Sequence, residues 1–524
     1  MKFSVTALAG ADIGCRCAVR VAVVLLGVLA GAASAQTAAL TEVWGTVRHK
    51  AGVADEAIRD RASKWVDNAG RALNEVGLGT PQGEPRPSVL APADRDLDTT
   101  APLGLLQAWR AAIVNDPNLR AARAAEAVGR ERLPQAQAQL KPSLQLNVNR
   151  FKNEVERDSV DFLGQPQTTN ERYYSHSQTL SLRHPLFRQQ QQAQLRQAGF
   201  LVADAQANLE REAQNLAVRL TSAYLEALLA RDNASLIQAQ GRLIATQLDA
   251  ARKTLEKGTG TRTDVDEAQA RLDLNRAQDL EARQQVELTR RQLQSIVNRS
   301  FGELAVLDPV RLKLTPPEPA SLDEWVGRAL RNSPEIRSLN AQKDAAREAI
   351  ARARAGHLPT LDAVAQLQRS RSESVTSPQS AFTNASIGLQ LNVPLYSGGS
   401  TSSEIRQANA EYERLRELLE AVTLDLGVRV HREYRGVTEG IARSRAMEVA
   451  VRSAEVALDS ARKSFAAGVR TSLDVLNAEQ QRAQLTRDLA QARYSTLLSR
   501  VRLQALVGGI DDATMQEVAA ALGP

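Results

Sequence analysis

Cysteine is almost missing from this chain, and where it occurs it is not expected to survive. Cys15 and Cys17 lie beside Arg16 and Arg20, just before the apolar run VAVVLLGVLAG, which ends in AASAQ. That pattern reads as an export signal cleaved after Ala35. The mature chain then has no thiol, which excludes a disulfide framework, thiol catalysis, a cysteine zinc site and a lipid-bearing cysteine at the cleavage point. The apolar run is too short for a spanning helix, and no later run reaches about 18 apolar residues, so no transmembrane helix is expected. The five histidines, His49, His176, His184, His357 and His431, follow no metal-ligand spacing. The stretch GTGT lacks the later glycine and the preceding strand of a nucleotide-binding loop. Nothing in the sequence forms a catalytic constellation, so neither an enzyme nor a cofactor is expected. Formal charge is +6, but arginine is interleaved with glutamate and aspartate, which describes a solvated helical surface and not a nucleic-acid partner.

Aromatic residues make up only 4%, and proline is absent from Pro185 to Pro309 and again from Pro394 to Pro524. What fills those stretches is Ala, Leu, Gln, Arg and Glu, the composition of long packed helices. The chain also repeats itself. ARKTLEKG (Ala251–Gly258) matches ARKSFAAG (Ala461–Gly468), LSLRHPLF (Leu180–Phe187) matches LQLNVPLY (Leu389–Tyr396), and NDPNLR from Asn115 matches NSPEIR from Asn332. Such ordered landmarks mark a tandem duplication of a unit of roughly 200 residues. Each unit reads as helix, two strands, very long helix, tight turn, helix. A seven-residue repeat runs through Leu195, Val202, Leu209, Leu216, Ala223, Ala230, Ile237, Ile244 and Ala251. In the second copy one seam (Ile405, Tyr412, Leu419, Leu426) gives way to another (Val430, Val437, Ser444, Val451, Leu458, Phe465), shifted by four residues. Period seven implies supercoiling against a partner, and the shift is a stutter. About 65 helical residues make a rod of about 100 Å.

The strands carry a different signature. Leu144, Leu146 and Val148 alternate with polar residues in SLQLNVN, as do Ile387, Leu389, Leu391 and Val393 in SIGLQLNV. Alternation over about ten residues suits the wall of a membrane barrel, with these side chains toward lipid. The polar segments Asn153 to Arg172 and Arg369 to Thr383 suit exposed loops. Two strands per copy give four per chain, too few to close a barrel, and an open edge in lipid is not viable, so the chain is expected to oligomerise.

From about Pro102 to Gly508 the sequence resembles the TolC family of outer-membrane factors, on the strength of NDPNLR, LNVPLYSGG and GVRTSLDVLNAEQ in combination. The resemblance implies an α+β membrane protein: a homotrimer in which twelve strands form one outer-membrane barrel continuous with a periplasmic α-helical barrel. It also implies a role for the two similar turns GTGTRTDVDEAQAR and GVRTSLDVLNAEQQ as periplasmic tips that close the entrance. The implied gate residues are Thr263 and Asp264 on the first tip, and Arg470, Thr471 and Asp474 on the second. Phe465 stands where some relatives have Tyr, and Asn477 where some have a second Asp, so a hydroxyl contact and part of a carboxylate ring are missing here. Local chemistry alone gives the same residues a second reading. Thr261 with Asp264, and Thr471 with Asp474, have the spacing of helix caps, while Gly258 and Gly468 suit helix termination.

The expected division is a signal peptide (1–35), an N-terminal extension with an amphipathic helix and a Pro-rich linker (36–101), a first repeat (102–300), an inter-repeat linker (301–320), a second repeat (321–508) and a C-terminal tail (509–524). The implied function is a passive outer-membrane exit duct of type I secretion, working with a periplasmic adaptor and an inner-membrane ABC transporter. The alternative is the outer component of a drug-efflux pump driven by a proton-coupled RND transporter. A periplasmic coiled-coil adaptor fits less well, because two hairpins and alternating strands are present.

Overall fold

The computed structural model describes residues 102–522 except 161, 306–313 and 373–379. The export signal, the N-terminal extension and the middle of the inter-repeat linker lie outside the described residues. The chain divides into two units. One contains a sheet (136–192 and 355–398), and the other is helical (up to 135, 193–354 and from 399 onward).

The helical unit opens with α1 (Leu105–Asn115) and α2 (Pro117–Arg130), and α3 (Arg132–Ala138) leads into the sheet. Two long hairpins follow the two pairs of strands. The first is α4 (Gln189–Glu256) with α5 (Arg262–Val297), and the second is α8 (Ser400–Ala466) with α9 (Ser472–Leu506). Between them run α6 (Leu322–Asn332) and α7 (Pro334–Arg354). The proline-free stretches are thus the hairpins. Every member of the first heptad seam is buried or half-buried. The second seam holds through Leu458, but Phe465 departs from it. It is 46% exposed, because α8 ends one residue later and no facing helix remains to cover it. Small residues let the helices approach closely. An added Cβ at Gly436 would meet the Ser499 hydroxyl at 2.6 Å, so the small Ser499 side chain of α9 occupies the space that a side chain at Gly436 would need.

The main core joins the middle of α4 to α1, α9 and the chain's end. Leu216, Leu220, Leu228 and Tyr224 pack with Trp109, Leu497, Val501, Met515 and Val518. Burial pushes the Tyr224 phenol up to about 12, and its hydroxyl donates to the Leu103 carbonyl at 3.0 Å. Residues read from the sequence as a C-terminal tail therefore include a packed helix, α10 (Asp512–Leu522). Its Asp512 accepts a hydrogen bond from the Trp109 indole at 2.9 Å.

The sheet unit is a four-stranded antiparallel sheet in the order β1-β2-β3-β4, formed by β1 (Ser143–Val160), β2 (Pro166–Phe187), β3 (Thr360–Ser372) and β4 (Ser380–Asn392). Its register sorts side chains cleanly. Leu144, Leu182, Ala365 and Ile387 form one cross-strand row, and Leu146, Leu180, Leu367 and Ala385 form the next. The opposite face carries Gln145, Ser181, Gln366 and Ser386 in the matching row. Paired residues share a face, so the period-two pattern of each strand adds up to one apolar and one polar surface. Leu389 and Leu391 belong to the apolar face, whereas Val393 lies one residue past the end of β4. At the foot of the sheet the buried Asp362 carboxylate is gripped by Arg183 and by Arg188, whose Nε donates to Oδ1 at 2.8 Å.

Two loop expectations fail at their edges. Most of Asn153 to Arg172 is strand, because β1 and β2 run 18 and 22 residues. Past Asn149 the face that held Leu144, Leu146 and Val148 turns to Arg150, Lys152, Glu154, Glu156 and Asp158, which ends the apolar alternation there, and cross-strand polar pairs take its place. Arg172 donates to Glu154 at 2.8 Å, Thr168 to Asp158 at 2.6 Å, and Arg150 lies 5.2 Å above the Tyr174 ring. Likewise 369–372 and 380–383 are strand, and only 373–379, outside the described residues, separates them.

Candidate functional site: the turns between the long helices

The two tips have the same construction. In the first, Gly258 takes φ +74°, the left-handed conformation that glycine adopts without strain, and the amides of Thr259 and Gly260 donate to the Thr254 carbonyl at 3.0 and 3.1 Å. In the second, Gly468 has φ +75°, and the amides of Val469 and Arg470 donate to the Ser464 carbonyl at 2.9 and 3.3 Å. Each return helix then begins at a reciprocal cap. The Asp264 amide donates to the Thr261 hydroxyl at 3.2 Å, and the Thr261 amide donates to Asp264 Oδ2 at 3.3 Å. Thr471 and Asp474 repeat this at 3.3 and 3.0 Å. Donation by the Thr471 amide and hydroxyl, with Arg470 nearby, holds the Asp474 carboxyl below its ordinary 3.8. A depressed pKa means the charged cap stabilises fully above that ordinary value and is lost as pH falls through the lower folded one.

Beneath each tip lies a small apolar plug. Leu248, Ala268 and Leu272 form it in the first hairpin, with Leu458, Ala461 and Val475 in the second. A polar strut spans each pair, from Arg252 to Gln269 at 3.0 Å and from Arg462 to Glu479 at 2.5 Å.

The residues singled out by the sequence divide into groups. Asp264, Thr471 and Asp474 serve the caps. Thr263 is exposed in the first turn of α5, and Phe465 is about half exposed at the end of α8. No ion pair joins Arg470 to Asp264 among the described residues; the carboxylate nearest Arg470 in effect is Asp474 of its own tip. Links between the hairpins lie elsewhere, one of them far from the tips, where the Tyr494 hydroxyl of α9 donates to Asp232 of α4 at 2.8 Å. Arg271 of α5 donates to Asn477 Oδ1 of α9 at 3.1 Å and to Glu267 at 3.3 Å. Sequence reasoning found Asn477 and missed Arg271. Arg271 sits two turns beyond the cap, in an arginine-rich helix where its spacing is ordinary.

The model of the family described as "Outer membrane efflux protein" matches residues 109–299 and 325–509, one segment in each repeat. The chain belongs to the outer membrane efflux protein family. Members of this family are outer-membrane proteins, and this chain is one of them. It is 36% identical to the alkaline protease secretion protein AprF of Pseudomonas aeruginosa, over 80% of this chain and 87% of that one. It is 34% identical to the proteases secretion protein PrtF of Dickeya chrysanthemi, over 80% and 91%. The outer membrane protein VceC of Vibrio cholerae has the same fold, with a TM-score of 0.65 at 20% identity over 77% of this chain and 96% of that one.

Proposed function

We propose that the chain is the outer-membrane exit duct of a type I secretion system, carrying an exported protein outward from an inner-membrane ABC transporter and a periplasmic adaptor. One geometric observation carries the duct: β1 and β4 are open edges of a sheet with one apolar face. Four strands cannot satisfy those edges in lipid, so further copies must pair with them, and the trimer that the family resemblance implies would complete a twelve-stranded barrel. The choice of a protein cargo over drugs follows the kinship with two proteins named for protease secretion. Deleting the gene should remove a large exported protein from the medium and leave drug susceptibility essentially unchanged. Wild-type export with sharply increased drug sensitivity would establish the efflux alternative with its RND partner.

The tips act as the entrance gate in this reading. Arg271 ties the two hairpins of one protomer, and Arg470 remains available to a neighbouring protomer. The Arg271–Asn477 bond contributes about 1 kcal/mol, and threefold repetition multiplies its effect on a concerted opening. Arg271→Ala should therefore raise single-channel conductance in planar bilayers while trimers still assemble. Arg470→Ser should do the same. Unchanged conductance in both assembled variants would make these arginines solvated surface residues. Asp474→Asn keeps an acceptor for the cap, so a pure capping role predicts no change, and a pore-lining role predicts weaker cation selectivity.

A further inference from the structure

The two copies of the repeat differ in charge at one helix start. In the first copy Asp116 precedes Pro117 of α2. Its buried Oδ1 accepts the Leu119 amide at 2.7 Å and the Arg219 guanidinium at 3.3 Å. The matching stretch of the second copy places Ser333 before Pro334 of α7. Ser333 is 3% exposed, and among the described residues its hydroxyl makes no hydrogen bond. Arg429, 210 residues after Arg219, turns instead to Glu335 at 2.6 Å and Asp425 at 2.7 Å. The residue before α7 is thus an uncharged serine where α2 has a carboxylate, and the first turn of α7 carries Glu335, which is paired with Arg429.

Around this helix start lies a groove of about 680 Å³, walled by α4, α7, α8 and α9 and lined by five arginines against three glutamates. Arg219 and Arg429 are held by Glu212 and Glu335, at 2.9 and 2.6 Å. Arg211, Arg432 and Arg502 form no ion pair among the described residues, although Glu433 shares the lining. The Nε of Arg219 is buried without a hydrogen-bond partner. The positions 210 residues before Arg432 and Arg502 are Ser222 and Gln292. The second copy has therefore gained cations around a helix start whose cap position is uncharged and whose first-turn carboxylate, Glu335, is already paired with Arg429.

We propose that this groove is a binding site for a phosphate-type oxyanion, seated at the start of α7 where Asp116 places a carboxylate in the first copy. A helix N-terminus offers amide donors and a positive dipole end, and guanidinium forks match phosphate oxygens. The buried Ser333 hydroxyl supplies one donor, and Arg432 and Arg502 supply the unneutralised charge. Arg211 lies on the rim.

The test uses the purified, full-length protein in detergent, titrated calorimetrically with inorganic phosphate and with glucose 1-phosphate over a chloride background. Saturable binding is expected, together with a rise in melting temperature on adding phosphate. Ser333→Asp installs the first copy's carboxylate and should abolish both. Arg432→Gln with Arg502→Gln should weaken binding at least tenfold and decides the matter if Ser333→Asp does not assemble. Equal affinity for glucose 1-phosphate assigns a phosphate borne on a glycan or lipid, and preference for inorganic phosphate assigns the free ion. Phosphate binding no better than chloride, or binding undiminished in the variants, overturns the site. None of these readouts depends on what the duct exports.

Discussion

Ile387→Arg should yield no assembled trimer in the outer membrane, whereas Ser386→Arg should assemble. Ile387 is 84% exposed in the single chain and sits in the row with Ala365, Leu182 and Leu144, between the row of Ala385, Leu367, Leu180 and Leu146 and that of Leu389, Ala363 and His184. On the lipid face near mid-depth an arginine costs about 2–4 kcal/mol, and each trimer would carry three. Ser386 shares its row with Gln366, Ser181 and Gln145, where a charged side chain meets water. Native gels of outer-membrane fractions read the result. Assembly of Ile387→Arg together with failure of Ser386→Arg would put lipid on the other face of the sheet.

A chain ending at Asp511 should be far less stable than the full-length protein, although it retains every residue of both family-matched segments. The truncation removes Met515, which is fully buried, and Val518, together with the Asp512 partner of Trp109. Fully burying one such side chain is worth about 1.5–3 kcal/mol, and the loss also opens the core around Leu220 and Tyr224. Met515→Ala alone should cost about 2–5 kcal/mol through the cavity it leaves. Thermal melts of the solubilised protein measure both. A truncated chain that melts with the full-length protein would mean that α10 rests on the core without supporting it.

The legibility of this chain followed the strength of each periodic signal. Two proline-free stretches and a heptad from Leu195 to Ala251 define the long hairpins, because only a continuous helix keeps such a seam buried. Thr261 and Asp264, like Thr471 and Asp474, were readable as caps because the contact is three residues long. The Arg271–Asn477 bond spans 206 residues, and no local pattern announces a contact set by how two helices lie together. The same holds for Asp362, whose partners Arg183 and Arg188 come from the other repeat. The outer halves of β1 and β2 were invisible for a different reason. They are held by a continuous backbone ladder with cross-strand pairs such as Arg172 with Glu154, and the charged residues that replace the apolar row leave no alternation to detect. Helix α10 was missed because it lies beyond the repeat that organised the reading.

That paired ribbon has a consequence for how the cell meets its surroundings. From Asn149 to Val160 it continues some twelve residues past the apolar rows, or about 40 Å of strand, at the end of the sheet opposite the helix connections. Its turn holds Phe162, almost wholly exposed, and Gly164 at φ +80°. A turn raised that far on a ribbon whose rungs are self-contained can be lengthened without touching the apolar rows below. In the barrel proposed above, it would be a natural mast for grafting an affinity tag or a fluorophore, visible from outside an intact cell.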